Sequence, residues 1–368
     1  MSREIKLPWW ATNNWWDAPD YGAAMRANAV QLRAALEVMQ RYFGTDWWTE
    51  VFESRKPNFV AAHLIGQGTM VLDFIRDLGS ALTLLESAPG VGTKIQALRR
   101  DESGATFLEI QIAAVLRAAG LEIVFPVTAN ARKTYDILAH YQAHPVTIEC
   151  KNLEMEEWEK WVMNLGLSVL HSLPGGRDTR FNIQVKFDPH LSQMNTDEDK
   201  YPGLNAAIAE EIVDRIRVAT EDAIAMHPDL PFEFVLNGLG TAVLRDAKEQ
   251  SDTSIATTEI SHVAQLRRLL TNGLYRAIDQ LPEDGPGIIV IQCEHLPELN
   301  LARIVFDAAT KCDPGRFGRL AAMVLIPRRY LNDYRPGLLF SNRHAAYHTL
   351  AGERAIGVLH DNLGLVDG

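Results

Sequence analysis

The spacing of hydrophobic and polar positions along this chain changes character twice. In the stretch "DYGAAMRANAVQLRAALEVMQRYF", apolar residues recur every three or four positions, the period of an amphipathic helix. "PNFVAAHLIGQGTMVLDFIRDLGSALTLLES" continues the pattern across a glycine interruption. No run with the two-residue period of a strand interrupts it, so residues 1–100 are expected to form a helical N-terminal region. Near residue 101 the rhythm changes. "SGATFLEIQIAAVLRAAG" is an amphipathic helix closed by Gly120, a favourable C-terminal stop. "LEIVFP", "TYDILA" and "HPVTIECK" follow as three short strand candidates. In the last of these, Val146, Ile148 and Cys150 alternate with Thr147, Glu149 and Lys151, so the two sets point to opposite faces. Asn152 suits the cap of a further helix. Its first turn is acidic (Glu154, Glu156, Glu157), and Trp158, Trp161, Val162 and Leu165 share one side. "RFNIQVKF" then reads as a fourth strand. Residues 101–190 are therefore expected to form a core in the order helix, three strands, helix, strand.

A polar connector, "SQMNTDEDKYPG", opens the remainder. Residues 191–368 alternate helical patterns (about 204–226, 261–281 and 299–311) with the strand-like runs "PFEFVL", "GTAVLR", "GIIVIQC", "RLAAMVLIP" and "GLLFSN". This alternation predicts additional C-terminal α/β elements, either extending the first sheet or forming a separate lobe.

Composition narrows the setting. The chain of 368 residues is 47% hydrophobic, ordinary for a globular protein. Cys150, Cys293 and Cys312 have no pairing or metal-ligand spacing and read as free thiols. "MSREIKLPWW" lacks an apolar signal core and no run reaches a membrane span, so a cytoplasmic protein with no membrane partner is expected. The net charge of −11 argues at first against a nucleic-acid partner. Its distribution changes the picture: residues 191–260 hold 14 Asp/Glu and 5 Lys/Arg, whereas residues 301–368 hold 9 Lys/Arg and 6 Asp/Glu. The acid is a local patch. Six of the eight tryptophans fall as pairs (Trp9-Trp10, Trp15-Trp16, Trp47-Trp48), which suit a helical core, or a contact with a second copy or a protein partner, better than a base-stacking platform.

Asp136 and Glu149 sit on neighbouring strand candidates, and Lys151 shares a face with Glu149. Two carboxylates held together repel unless a cation lies between them or one takes a proton. A hard divalent ion with oxygen ligands suits such a place, and an adjacent ammonium can orient a water or stabilise charge growing on phosphorus. The kit fits phosphodiester hydrolysis.

Asp136 followed by Glu149-Cys150-Lys151, with Glu109 on the preceding helix, resembles the core of the PD-(D/E)XK nuclease superfamily. The resemblance covers roughly residues 101–190. It implies an α/β protein with a restriction-endonuclease-like core, a mixed central sheet flanked by helices. It also implies a nuclease dependent on Mg²⁺, with Mn²⁺ as a substitute, acting on nucleic acid and favouring DNA. Glu109, Asp136 and Glu149 would then be metal ligands together with the backbone carbonyl of Cys150, and Lys151 the catalytic amine. Tyr135 stands where the motif's name has proline, and the acids after Lys151 would repel a phosphate backbone if they faced the cleft. Gln184 and Lys186 on the fourth strand, with Arg132 and Lys133 before Asp136, are candidate substrate contacts. Two alternatives stand beside this reading. Glu149 and Lys151 can form a solvent-facing ladder on an edge strand, with Asp136 across from them. A nuclease-like module can also bind nucleic acid or a partner protein without cutting. His344 and His348 would share a face if their segment were helical, but no third zinc ligand lies near them in sequence.

Overall fold

In the computed structural model, the described residues are 29–54, 58–64, 69–101, 103–126, 135–153, 181–187, 214–215, 217–219, 221–222, 225–226, 232–236, 240–246, 266–293, 296–327 and 336–367. The helical pattern of the first hundred residues gives α1 (Ala29–Tyr42), α2 (Thr45–Ser54), α3 (Phe59–Leu64), α4 (Thr69–Leu85) and α5 (Val91–Leu98), followed by α6 (Ala105–Ala118). Their apolar stripes are buried together: Leu32, Leu36 and Met39 of α1 and Phe74, Ile75, Leu78 and Leu82 of α4 belong to one core with Phe107 and Leu108 of α6. Trp47 and Trp48 lie in this core with ring centroids 5.0 Å apart, and Trp47 Nε1 donates to the Arg99 carbonyl at 3.0 Å. This pair packs the interior and offers no base-stacking surface. The other two N-terminal pairs lie outside the described residues.

The strands are β1 (Glu122–Val124), β2 (Ile137–Tyr141), β3 (His144–Leu153), β4 (Phe181–Phe187), β5 (Phe232–Leu236), β6 (Gly240–Asp246), β7 (Gly287–Cys293), β8 (Leu320–Pro327), β9 (Leu338–Ser341) and β10 (Val366–Asp367), with α7 (Leu299–Cys312) before β8 and α8 (Leu350–Leu363) before β10. Seven of them form one mixed sheet in the order β1-β2-β3-β7-β8-β9-β10. β1, β2 and β3 are an antiparallel meander, and β2 and β3 are joined by a tight turn whose Gln142 and Ala143 both have positive φ. β7 lies parallel to β3 and β8 parallel to β7. Val146, Ile148, Cys150, Ile288, Val290 and Val324 face the core shared with α6 and α8. Ile289, Ile291, Met323, Leu325 and Phe340 face the opposite core, with the helix running through Leu269–Tyr275 and with α7. The sheet is thus covered by helices on both faces, as parallel pairing in its centre requires. Leu269–Tyr275 is a π-helical stretch, and a Cβ on its Gly273 would stand 3.0 Å from Ile291 Cδ1, so glycine lets this helix lie close on the sheet.

The chain divides elsewhere than its sequence suggests. One unit comprises residues 1–154 with 268–368, the other residues 155–267. Helices α1 to α5 thus belong to the same unit as the seven-stranded sheet, because their apolar stripes share one core with that sheet. Within 191–368, β7 to β10 extend that sheet, whereas β5 and β6 join β4 in a three-stranded antiparallel sheet of order β4-β6-β5 in the other unit. "RFNIQVKF", expected as the fourth strand of a 101–190 core, is therefore not beside β3. That place is taken by β7. A strand buried on both faces is apolar over nearly its whole length, and all seven residues of β7 are buried, Gln292 alone among them being polar. The sequence of β4 instead alternates Asn182, Gln184 and Lys186 with apolar residues, which suits an antiparallel strand with one polar face. The acidic helix expected after Asn152 lies outside the described residues. Asn152 itself is in β3 and donates from Nδ2 to the Ser103 carbonyl at 2.6 Å. Among the described residues no helix is long and apolar enough to cross a membrane.

The start of α6 is fixed by Asp101. Its Oδ1 accepts from the Ser103 and Gly104 N–H groups at 3.0 and 2.9 Å, and its Oδ2 from Thr106 N–H at 2.9 Å. Gly104, the residue before the helix, and Thr106 are among the donors that a helix leaves unpaired at its start. Replacing Asp101→Ala is expected to destabilise the protein by about 2 kcal/mol, the upper range for a lost cap. Urea unfolding followed by circular dichroism measures this, and a loss below about 0.5 kcal/mol would show that α6 does not depend on the cap.

Candidate active site beyond the end of β2

β2 pairs with β3 only as far as Ile137 opposite Ile148. β3 continues to Leu153 with β7 still on its other edge. Asp136 sits just before β2, where the two strands part. Its N–H donates to the Ile148 carbonyl at 3.1 Å, and its Oδ2 accepts from the Cys150 N–H at 2.9 Å. The carboxylate thus takes the place of a missing strand partner. In an extended strand the N–H and C=O of one residue leave by the same edge, so the Cys150 carbonyl also points to the side where Asp136 lies.

Glu149 stands level with Ile289, Met323 and Phe340 in successive strands, a row otherwise apolar. It is fully buried. Lys151, two residues along the same strand, donates to Glu149 Oε1. Oε2 of Glu149 is buried with no hydrogen-bond partner among the described residues. Burial and the Asp136 charge push the Glu149 carboxyl up to about 8, against the opposing pull of Lys151. Glu109 enters from α6. Burial and the Asp136 charge raise it to about 7, and Lys94 pulls the other way. Lys94, on α5, donates to Glu109 Oε2 and lies 3.8 Å from Asp136 Oδ1. Burial alone would lower its pKa, but Glu109 and Asp136 outweigh that and hold it above its ordinary value. Burial keeps the Cys150 thiol protonated, so only its backbone is available as a ligand.

The structure therefore brings together Glu109, Asp136, Glu149, Cys150 and Lys151, all singled out by sequence. β3 is interior to the sheet and Glu149 is buried, so the solvent-facing edge ladder is excluded. Lys94 is an addition that the sequence reading missed. Gln184 and Lys186 lie on the sheet of the other unit, not on the one that carries Glu149. Arg132 and Lys133 lie outside the described residues. Residues 342–349 are not helical, so His344 and His348 share no helix face; His344 lines an open cleft of about 700 Å³ beside α7 and β9.

The donor set suits a hard divalent cation. Burial and the Asp136 charge raise the proton affinity of Glu109 and Glu149, and among the described residues one buried carboxylate oxygen is left without a donor. Among the described residues, no three His, Cys, Asp or Glu side chains converge as a ready-made metal group. Two of the three carboxylates are instead paired with lysine ammoniums.

The raised acids fix a pH dependence. Each has a folded pKa above its unfolded value of about 4.3, so between pH 5 and 8 the folded state binds more protons than the unfolded one. Stability is then full below the unfolded pKa and is lost as pH rises through about 7 for Glu109 and about 8 for Glu149. In chelator, thermal unfolding is expected at progressively lower temperature from pH 5 to pH 8, with a slope of up to about 1.4 kcal/mol per pH unit for each group. Glu149→Gln should flatten the curve near pH 8. A wild-type curve that rises over this window would contradict the assignment.

Comparison with family models, with curated proteins and with solved structures gives no match for this chain.

Proposed function

We propose that the protein is a divalent-metal-dependent nuclease with a restriction-endonuclease-like core, hydrolysing phosphodiester bonds with DNA as the favoured polymer. The observation that carries this reading is Glu149, a fully buried carboxylate on an interior strand beside Asp136 and Glu109, one of whose oxygens has no partner among the described residues. An unpaired polar atom in an apolar row costs stability, and replacing a buried ion pair by apolar residues is often neutral or stabilising. A cluster kept only for folding has no need of such an oxygen. The chain order supports the reading. α6 is followed by the antiparallel strands β1 to β3, and a crossover helix then leads into β7 parallel to β3. This agrees with the resemblance to the PD-(D/E)XK superfamily, once residues 155–267 are treated as an insertion.

In this reading Glu109, Asp136, Glu149 and the Cys150 carbonyl hold Mg²⁺ or Mn²⁺. Such an ion, when bound, would supply Lewis-acid polarisation of a phosphate oxygen and a water of lowered pKa. Lys151, anchored on Glu149, sits where its ammonium can orient that water or meet negative charge developing on the phosphate. The second reading, a module that binds nucleic acid or a partner protein without cutting, is favoured by one observation: the ammoniums of Lys94 and Lys151 already pair two of the carboxylates.

Incubation of the protein with duplex, single-stranded and branched DNA and with RNA, in Mg²⁺ or Mn²⁺, separates the two. Cleavage is expected from wild type. Asp136→Asn is expected to abolish it through weakened metal binding. Lys151→Ala should lower the rate by roughly 10²–10³-fold, comparable to removal of an oxyanion donor. DNA affinity should survive Lys151→Ala, because one charge is a small share of a phosphate-contacting surface. A wild type that cuts none of these polymers and binds neither metal would overturn the nuclease reading.

A further inference from the structure

We infer that the Lys94 ammonium occupies the place between Glu109 and Asp136 that a divalent ion must take, so that loading the site exchanges Lys94 for metal. The inference rests on the metal-site reading above and goes beyond it, because Lys94 is no part of the motif that led there.

Lys94 is positioned by the fold rather than by a wandering loop. The Phe125 N–H, just past β1, donates to the Pro89 carbonyl at 2.9 Å. Gly90 has φ +81°, and a Cβ there would lie 2.1 Å from the Phe125 carbonyl oxygen. Only glycine permits that approach. The start of α5 is therefore seated against the end of β1, and Lys94 follows one turn later. Its side chain is 17% exposed.

The two oxygens of Asp136 have different roles. Oδ2 is committed to the Cys150 N–H, whereas Oδ1 faces Lys94. Glu109 Oε2 also meets Lys94. An ion bound by Asp136 and Glu109, with oxygen ligands at about 2.1 Å, would fall in the space the ammonium fills. Two cations that close repel strongly in a site shielded from water. Lys151 differs in this respect. It meets Oε1 of Glu149 and leaves Oε2 open, so it blocks no ligand. The four-carbon stem of Lys94 can swing its charge outward without moving α5. The site is thus closed by its own cation until metal displaces it.

Calorimetric titration of Mn²⁺ and of Ca²⁺ into wild type and Lys94→Met tests the exchange. The variant is expected to bind about ten-fold more tightly, within the usual range of coupling between two sites. A second measurement needs no variant. Amine acetylation of wild type, read by mass spectrometry, should label Lys94 several-fold faster at saturating Ca²⁺ than in chelator. Lys94→Met binding metal no more tightly than wild type would overturn the inference, as would unchanged labelling at saturation. If Lys94→Met does not fold, the labelling decides alone. If neither protein binds metal, the metal site and the exchange fall together. If metal binds and releases Lys94 but no nucleic acid is cut, the nuclease reading fails and the exchange stands.

Discussion

Beyond Ile148, β3 runs on without β2 beside it while its other edge stays paired to β7 as far as Leu153. This mismatch in strand length is the constraint on which the site depends. It exposes one edge of an interior strand inside the fold, and an unmet N–H there would cost about 1–3 kcal/mol. Asp136 meets it with a carboxylate, a stronger acceptor than a backbone carbonyl. The chain thereby gains a fixed negative charge at the point where Glu149 and Lys151 emerge. Glu109 and Lys94 approach from helices whose own positions are set by Asp101 and by the contact of Gly90 with Phe125. Glu109, Glu149, Lys151 and Lys94 stand on regular elements, and Asp136 adjoins the first residue of β2.

Much of this was legible in the sequence because it follows from local periodicity. The period-two pattern of "VTIECK" put Glu149 and Lys151 on one face, and the apolar frame of "YDILA" put Asp136 on a neighbouring strand candidate. Lys94 was not legible. It lies in a helical stretch with no motif around it, and only tertiary packing brings it to Asp136. β7 as the neighbour of β3 was equally hidden. Consecutive strands are adjacent in most folds, which favoured β4, but the insertion of residues 155–267 breaks that rule. The apolar run Ile288–Ile291 of β7, set against the alternation in β4, was the one usable signal. α8 went unread although its stops were present, with Thr349 capping its start through the Gly352 N–H and Gly364 closing its end in the left-handed region.

Electrostatically the site is frustrated in isolation. Burial and mutual repulsion drive Glu109 and Glu149 toward their protonated forms, while Lys94 and Lys151 pull them toward ionisation. In the proposed metal-site reading a doubly charged ion would ease this conflict more completely than a lysine does. The same low-dielectric surroundings that make Glu149 reluctant to ionise would strengthen its hold on a cation once ionised.

The pairing of β3 with β7 has a consequence for how the protein comes into being. Glu109, Asp136, Glu149 and Lys151 are all synthesised early and close together, yet the strand that buries Glu149 on one side follows only after the whole of residues 155–267. At ordinary ribosomal speeds this gap lasts on the order of ten seconds. During it, β3 has an open edge and Glu149 remains in water, with no raised pKa and no buried orphan oxygen. The nascent chain therefore carries every residue of the cluster before the burial that shifts Glu149, and that environment is complete only when β7 docks.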